Sequence, residues 1–119
     1  EDTRAHLVLF TLIDREGEPL ESSEQLEEVR QRLESSIIRS VRRSDLYTRY
    51  GKNQFLVLVT STDQKGCNIA ADRVCKNFRT VNRRRKIDVY YACRPAMAVT
   101  GDSLKKNMGK NVKELETEA

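Results

Sequence analysis

The sequence predicts an α+β fold: a four-stranded antiparallel sheet, two long helices on one of its faces and a loosely patterned helix at the C-terminus. Three observations carry this. Leu26, Val29, Leu33 and Ile37 recur at the spacing of a helix that buries one stripe. The run from His6 to Ile13 is apolar almost without interruption, as in a buried strand, and the run from Ile87 to Cys93 reads as another strand. Between the helical stripe and the second of these runs, two strand-like segments flank the polar stretch Gly51-Lys52-Asn53-Gln54, which reads as a hairpin.

The elements follow in chain order. Residues 6–13 form the first strand, rich in aliphatic and aromatic side chains. Asp14 to Pro19 is a polar turn. Ser22 and Gln25 have the spacing of a capping box for a helix over 23–41, whose stripe extends to Val41. Its opposite face, with Glu27, Arg30, Gln31 and Glu34, reads as solvated. The hairpin occupies 45–50 and 55–60, and the run Phe55 to Val59 is expected to be buried on both sides. Thr62-Asp63-Gln64 can cap a helix over 64–80, which would bury Ile69, Val74 and Phe78 with Ala70, Ala71 and Cys75. Arg83 to Lys86 is a basic turn, and the strand over 87–93 ends at Pro95. Beyond Gly101, Leu104, Met108, Val112 and Leu115 are spaced roughly as in a helix, interrupted by Gly109. The order β-α-β-β-α-β-α contains the split β-α-β unit of ferredoxin-like folds, and right-handed crossovers place both long helices on one face.

Composition narrows the function classes. The chain has 119 residues, enough for one domain with a single core. It is 38% hydrophobic and 34% charged, and no run approaches the roughly eighteen apolar residues of a membrane span. The net charge of +4 permits a phosphate-bearing ligand without requiring one. Cys67, Cys75 and Cys93 are odd in number and lack a CxxC spacing, so buried free thiols in a reducing cytoplasm are expected rather than disulfides or zinc. His6 is the sole histidine, which leaves no basis for histidine-centred catalysis. The basic turn has no interleaved aromatics, and Tyr90 and Tyr91 point to opposite faces of a strand, so no nucleic-acid platform is expected.

The segment Arg-Tyr-Gly-Lys-Asn-Gln-Phe, residues 49–55, followed by Leu-Val-Leu, resembles the signature hairpin of the GGDEF (diguanylate cyclase) family, Arg-Tyr-Gly-Gly-Asp-Glu-Phe before an aliphatic strand. Arg49, Tyr50, Gly51 and Phe55 match; Lys52, Asn53 and Gln54 replace the second glycine and the two acids. The resemblance covers about residues 6–94, leaves 95–119 as a poorly matching tail, and implies the family's ferredoxin-like palm. Because the chain starts at Glu1 rather than Met, it is expected to be a piece of a larger signalling protein.

In that family carboxylates from the hairpin tip and the first strand hold two metal ions for phosphoryl transfer. Hard divalent ions require anionic oxygen ligands. Here the tip offers the amides of Asn53 and Gln54, Lys52 stands where a glycine admits phosphate, and ungapped alignment puts Phe10 at the first-strand acid. Asp14 reaches that position only with a four-residue shift, and the guanine-reading positions fall at Glu18 and Glu27. The implied reading is a domain without cyclase activity, metal or cofactor.

The resemblance also implies a second site. Arg42 and Asp45 fit the Arg-x-x-Asp motif at the spacing of the family's inhibitory product site, and Arg73 falls where a second arginine joins it. Cyclic di-GMP would bind there, with guanidinium groups on the guanine edge or phosphate and the carboxylate on guanine N–H groups. The alternative is a ligand-free module that dimerises or docks against another domain or protein; an active cyclase is the remaining possibility. No membrane contact by this domain is expected, and a cytoplasmic location is.

Overall fold

The computed structural model describes residues 5–16, 23–83 and 86–96, with the side chains of the first helix from residue 26 onward. The element order is β1 (Ala5–Asp14), α1 (Ser23–Ser40), β2 (Leu46–Gly51), β3 (Gln54–Thr60), α2 (Gln64–Val81) and β4 (Ile87–Ala96). The expected sheet, hairpin and two long helices are all present. The Ser22–Gln25 capping box and the C-terminal helix beyond Gly101 lie outside the described residues.

The strands form one antiparallel sheet in the order β2-β3-β1-β4. Strand β1 is central and pairs with β3 from Ala5–Thr60 to Thr11–Gln54, and with β4 from Ala5–Ala96 to Asp14–Ile87. Alternation of side chains sorts each central strand into two faces. Val8, Phe10 and Leu12 of β1 with Phe55, Val57 and Val59 of β3 meet the helix stripes in one core. Leu7 and Leu9 with Leu56 and Leu58 form a second buried cluster on the other face. This is why both strands read as unbroken apolar runs rather than alternating ones.

Helix α1 buries the expected stripe, Leu26, Val29, Leu33 and Ile37. Buried Ser36 and Ser40 continue it toward α2; the Ser40 hydroxyl donates to the Ser36 carbonyl at 2.7 Å and accepts from Asn77 Nδ2 at 2.9 Å. Helix α2 is capped by Asp63, whose side chain accepts from the Gly66 amide at 2.8 Å. A Cβ at Gly66 would stand 2.1 Å from the Thr62 hydroxyl, so the cap closes over a residue without a side chain. The buried stripe of α2 is Cys67, Ala71, Val74, Cys75 and Phe78. Ile69, assigned to it from sequence, is 51% exposed: the stripe is phased by Cys67 and Ala71, small residues that let the helix approach the sheet, and Ile69 falls off that face.

Two further expectations are corrected. Strand β4 does not stop at Pro95 but runs to Ala96, with Pro95 opposite His6. An edge strand tolerates a residue that cannot donate on its outer side. Cys67 of α2 and Cys93 of β4, expected as separate thiols, are brought side by side with their Cα atoms 7.2 Å apart, beyond the span of an unstrained disulfide. Neither spacing nor count could show that the crossover turns these two side chains toward each other. Cys75 is a free buried thiol, and burial pushes its pKa up to about 11.

Candidate functional site

The hairpin tip is held against the end of β1 by amide groups. Gly51 and Gln54 pair across the turn, so the loop proper is Lys52-Asn53, and the register shift between Arg49 and Gly51 sets Tyr50 out of the ladder. The Leu12 amide donates to the Asn53 carbonyl at 2.8 Å, and the Asn53 side-chain Nδ2 donates to the Leu12 carbonyl at 3.0 Å. Next to it, Gln54 Nε2 donates to Thr11 Oγ1 at 3.2 Å. Both side chains are partly buried and donate here; toward the Leu12 carbonyl a carboxylate could not fill the role of Asn53, whereas the Thr11 hydroxyl facing Gln54 can donate as well as accept.

The first helix closes the tip from the other side. Arg30 Nη1 donates to the Lys52 carbonyl at 2.7 Å, and Arg30 also pairs with Glu27. Glu27 in turn faces Arg49 at 3.7 Å, and the Arg49 guanidinium lies 5.9 Å from the centroid of the Phe55 ring. The hydrogen bond from Arg30 holds the Glu27 carboxyl below the usual carboxylate range against the opposing effect of desolvation. Tyr47 donates to Glu34 at 3.0 Å, and burial with this acceptor raises the Tyr47 pKa. The α1 face expected to be solvated is therefore turned toward the hairpin. The i,i+3 spacing of Glu27 and Arg30 was legible in sequence; that Arg30 reaches across to Lys52 was not.

Phe10 is buried in the helix-side core opposite Phe55, short of the tip. The structure thus moves the strand position facing the tip from Phe10 to Leu12. Asp14 ends β1 two residues further on, where its Oδ1 accepts from the Glu16 amide at 2.7 Å. Among the described residues no group of three or more His, Cys, Asp or Glu side chains is placed to hold a metal ion.

Arg42 and Asp45 come together at the opposite end of the sheet. Asp45 Oδ2 accepts from the Arg42 amide at 2.9 Å and lies 3.6 Å from Arg42 Nε. Its Oδ1 accepts from the Thr60 amide at 3.1 Å and the Thr60 hydroxyl at 3.3 Å. The Arg42 guanidinium also donates to the Thr60 carbonyl. The Asp45 side chain is only 3% exposed, whereas that of Arg42 is 54% exposed. Arg73 is exposed on α2, one turn before Asn77, which touches Ser40 near the end of α1. Arg73 therefore shares the Asn77 side of α2, which faces α1, and among the described residues no hydrogen bond or ion pair joins it to Arg42.

With this geometry in view, the comparisons with known proteins can be placed. The family model described as diguanylate cyclase, GGDEF domain, matches residues 19–116. The chain belongs to the GGDEF family. No curated protein matches it. Among solved structures, the coiled-coil and GGDEF domain of DgcB from Caulobacter crescentus in complex with c-di-GMP superposes with a TM-score of 0.66 at 15% identity, covering 88% of this chain and 60% of that one. A DGC protein from Thermotoga maritima gives 0.62 at 14%, covering 78% and 64%. Diguanylate cyclase SiaD in complex with its activator SiaC from Pseudomonas aeruginosa gives 0.61 at 16%, covering 88% and 43%. At these identities the likeness is one of fold, and this chain spans less than two thirds of each of those chains.

Asn53→Asp replaces the donor facing the Leu12 carbonyl with a second acceptor, and is expected to cost about 1–3 kcal/mol in urea unfolding, more than Asn53→Ala. Asp45→Ala leaves the Thr60 and Arg42 amides without their acceptor and is expected to lower stability by about 1–3 kcal/mol whether or not a nucleotide is present.

Proposed function

We propose that this GGDEF domain is a signalling module that acts by binding rather than by nucleotide cyclisation. One observation carries the proposal: the two tip residues that replace the family's acids are amides, and both use their N–H groups to fasten the hairpin to β1. Two-metal phosphoryl transfer depends on anionic oxygen at that place, and the site presents donors instead. Glu27, at the position of a guanine reader, is held between Arg30 and Arg49. A cytoplasmic location and a place within a longer chain belong to the same reading. The expected result with GTP and magnesium or manganese is no cyclic dinucleotide above the protein-free background; product formation that scales with protein overturns it.

A more specific reading within this proposal is that the module receives cyclic di-GMP at Arg42, Asp45 and Arg73. It is supported by the half-exposed Arg42 guanidinium and by Arg73 on the side of α2 that faces α1. Asp45 contributes mainly by fixing Arg42, since its own oxygens are already engaged. Isothermal titration with cyclic di-GMP is expected to show saturable heat that Arg73→Ala removes without lowering the melting temperature; Arg42→Ala also removes the heat, and by losing its contacts with Asp45 and Thr60 lowers the melting temperature, though less than Asp45→Ala does. Absence of heat from folded wild-type protein removes the ligand and leaves a ligand-free module that dimerises or docks on another domain or protein, which sedimentation at increasing concentration then tests.

A further inference from the structure

A second cluster of arginines lies where β1, the C-terminal turn of α2 and the start of β4 meet, and neither the hairpin tip nor the Arg-x-x-Asp motif uses it. It surrounds a cavity of about 580 Å³ lined by Arg15, Arg79, Arg83, Asn82 and Asp88, among others. That size falls within the range of small-molecule pockets. Arg15 donates through Nε and Nη2 to Asp88 Oδ2 at 3.2 and 2.7 Å. Arg79 donates through Nε to Asp88 Oδ1 at 2.9 Å and through Nη2 to the Val89 carbonyl at 3.2 Å. One largely buried carboxylate thus orients two guanidinium groups that remain about half exposed, at 55% and 52%.

The charge balance favours an anion. Three guanidinium groups face one carboxylate around the cavity, which leaves two positive charges uncompensated by it. The C-terminus of α2 opposes them with about half a negative charge, so the balance stays positive. Each guanidinium carries five N–H donors, and Arg15 and Arg79 commit only part of theirs to Asp88 and Val89. Arg83 makes no hydrogen bond or ion pair with another described residue, and Arg84 and Arg85 follow it in the chain. Burial pushes the Asp88 carboxyl up, but the hydrogen bonds from Arg15 and Arg79 outweigh it and hold it below the usual carboxylate range, so Asp88 stays ionised as the organising counter-ion.

We propose that this corner is a binding site for a phosphate group, free or on a small phosphorylated molecule, with Arg83, which has no partner among the described residues, as a direct contact and Arg15 and Arg79 held in place by Asp88. Forked guanidinium donors match phosphate oxygens bidentately, and a dianion would match the two excess charges. The site is separate from the Arg-x-x-Asp motif: Asp45 bonds Thr60, which pairs with Ala5 at one end of β1, whereas Arg15 follows the other end.

Titration of the intact chain with inorganic phosphate, with guanosine monophosphate and with guanosine, at low ionic strength and followed by amide NMR shifts, tests this. Saturable shifts centred on Arg15, Arg79 and Arg83 are expected with both phosphates and not with guanosine, weakening as sodium chloride is added. Arg83→Ala is expected to weaken binding roughly tenfold with an unchanged melting temperature; Arg79→Ala weakens binding and also loosens the corner. Equal affinity for both phosphates assigns the site to a free phosphate, and tighter guanosine monophosphate assigns it to a phosphorylated small molecule. The proposal is overturned by no saturation at millimolar phosphate, by equal response to guanosine, or by an Arg83→Ala protein that binds as the wild type does. Arg42→Ala is expected to leave phosphate binding intact, so the outcome is independent of cyclic di-GMP recognition at the other end of the sheet.

Discussion

The reciprocal pairing of Asn53 with Leu12 is the constraint on which the hairpin end of the molecule depends. The backbone carbonyl of Asn53 takes the Leu12 amide, and its side chain returns a hydrogen to the Leu12 carbonyl. This extends the β1–β3 ladder past its last regular pair and anchors the turn to the strand at the centre of the sheet. Arg30 then closes the turn from α1 through the Lys52 carbonyl. A turn fastened on two sides by neutral donors and one guanidinium has a different chemistry from one presenting carboxylates. It is ordered by its own contacts with β1 and α1.

The carboxylates that matter most to the described structure are engaged elsewhere, at opposite ends of the sheet. Asp45 joins the end of α1 to the end of β3 through Arg42 and Thr60. Asp88 joins the β1 turn, α2 and β4 through Arg15 and Arg79. In each case a carboxylate with little exposure fixes an arginine that is itself about half exposed. Burying a charge is costly unless it is paired and hydrogen-bonded, and both sites meet that condition. The same contacts leave guanidinium surface facing outward, which is where recognition of an anion would occur. The long α2 helix between them is tied to the sheet by its apolar stripe.

Periodicity and turn chemistry in the sequence determined the order of the six described elements, the pairing of the hairpin, the burial of Phe55 to Val59 on both faces and the α1 stripe, because these follow from local spacing. The identities of Lys52, Asn53 and Gln54 likewise settled what atoms the tip can offer. Tertiary structure decided the rest. It turned Glu27, Arg30 and Glu34 from a solvated face into a clamp on the hairpin, removed Ile69 from the core, carried β4 through Pro95, set Leu12 rather than Phe10 against the tip, and brought Cys67 beside Cys93. It also gathered Arg15, Arg79 and Arg83 around Asp88 from segments far apart in the chain. Each of these depends on register between strands or on the rotation of a helix about its axis, and a shift of one residue in either changes which side chain faces which neighbour.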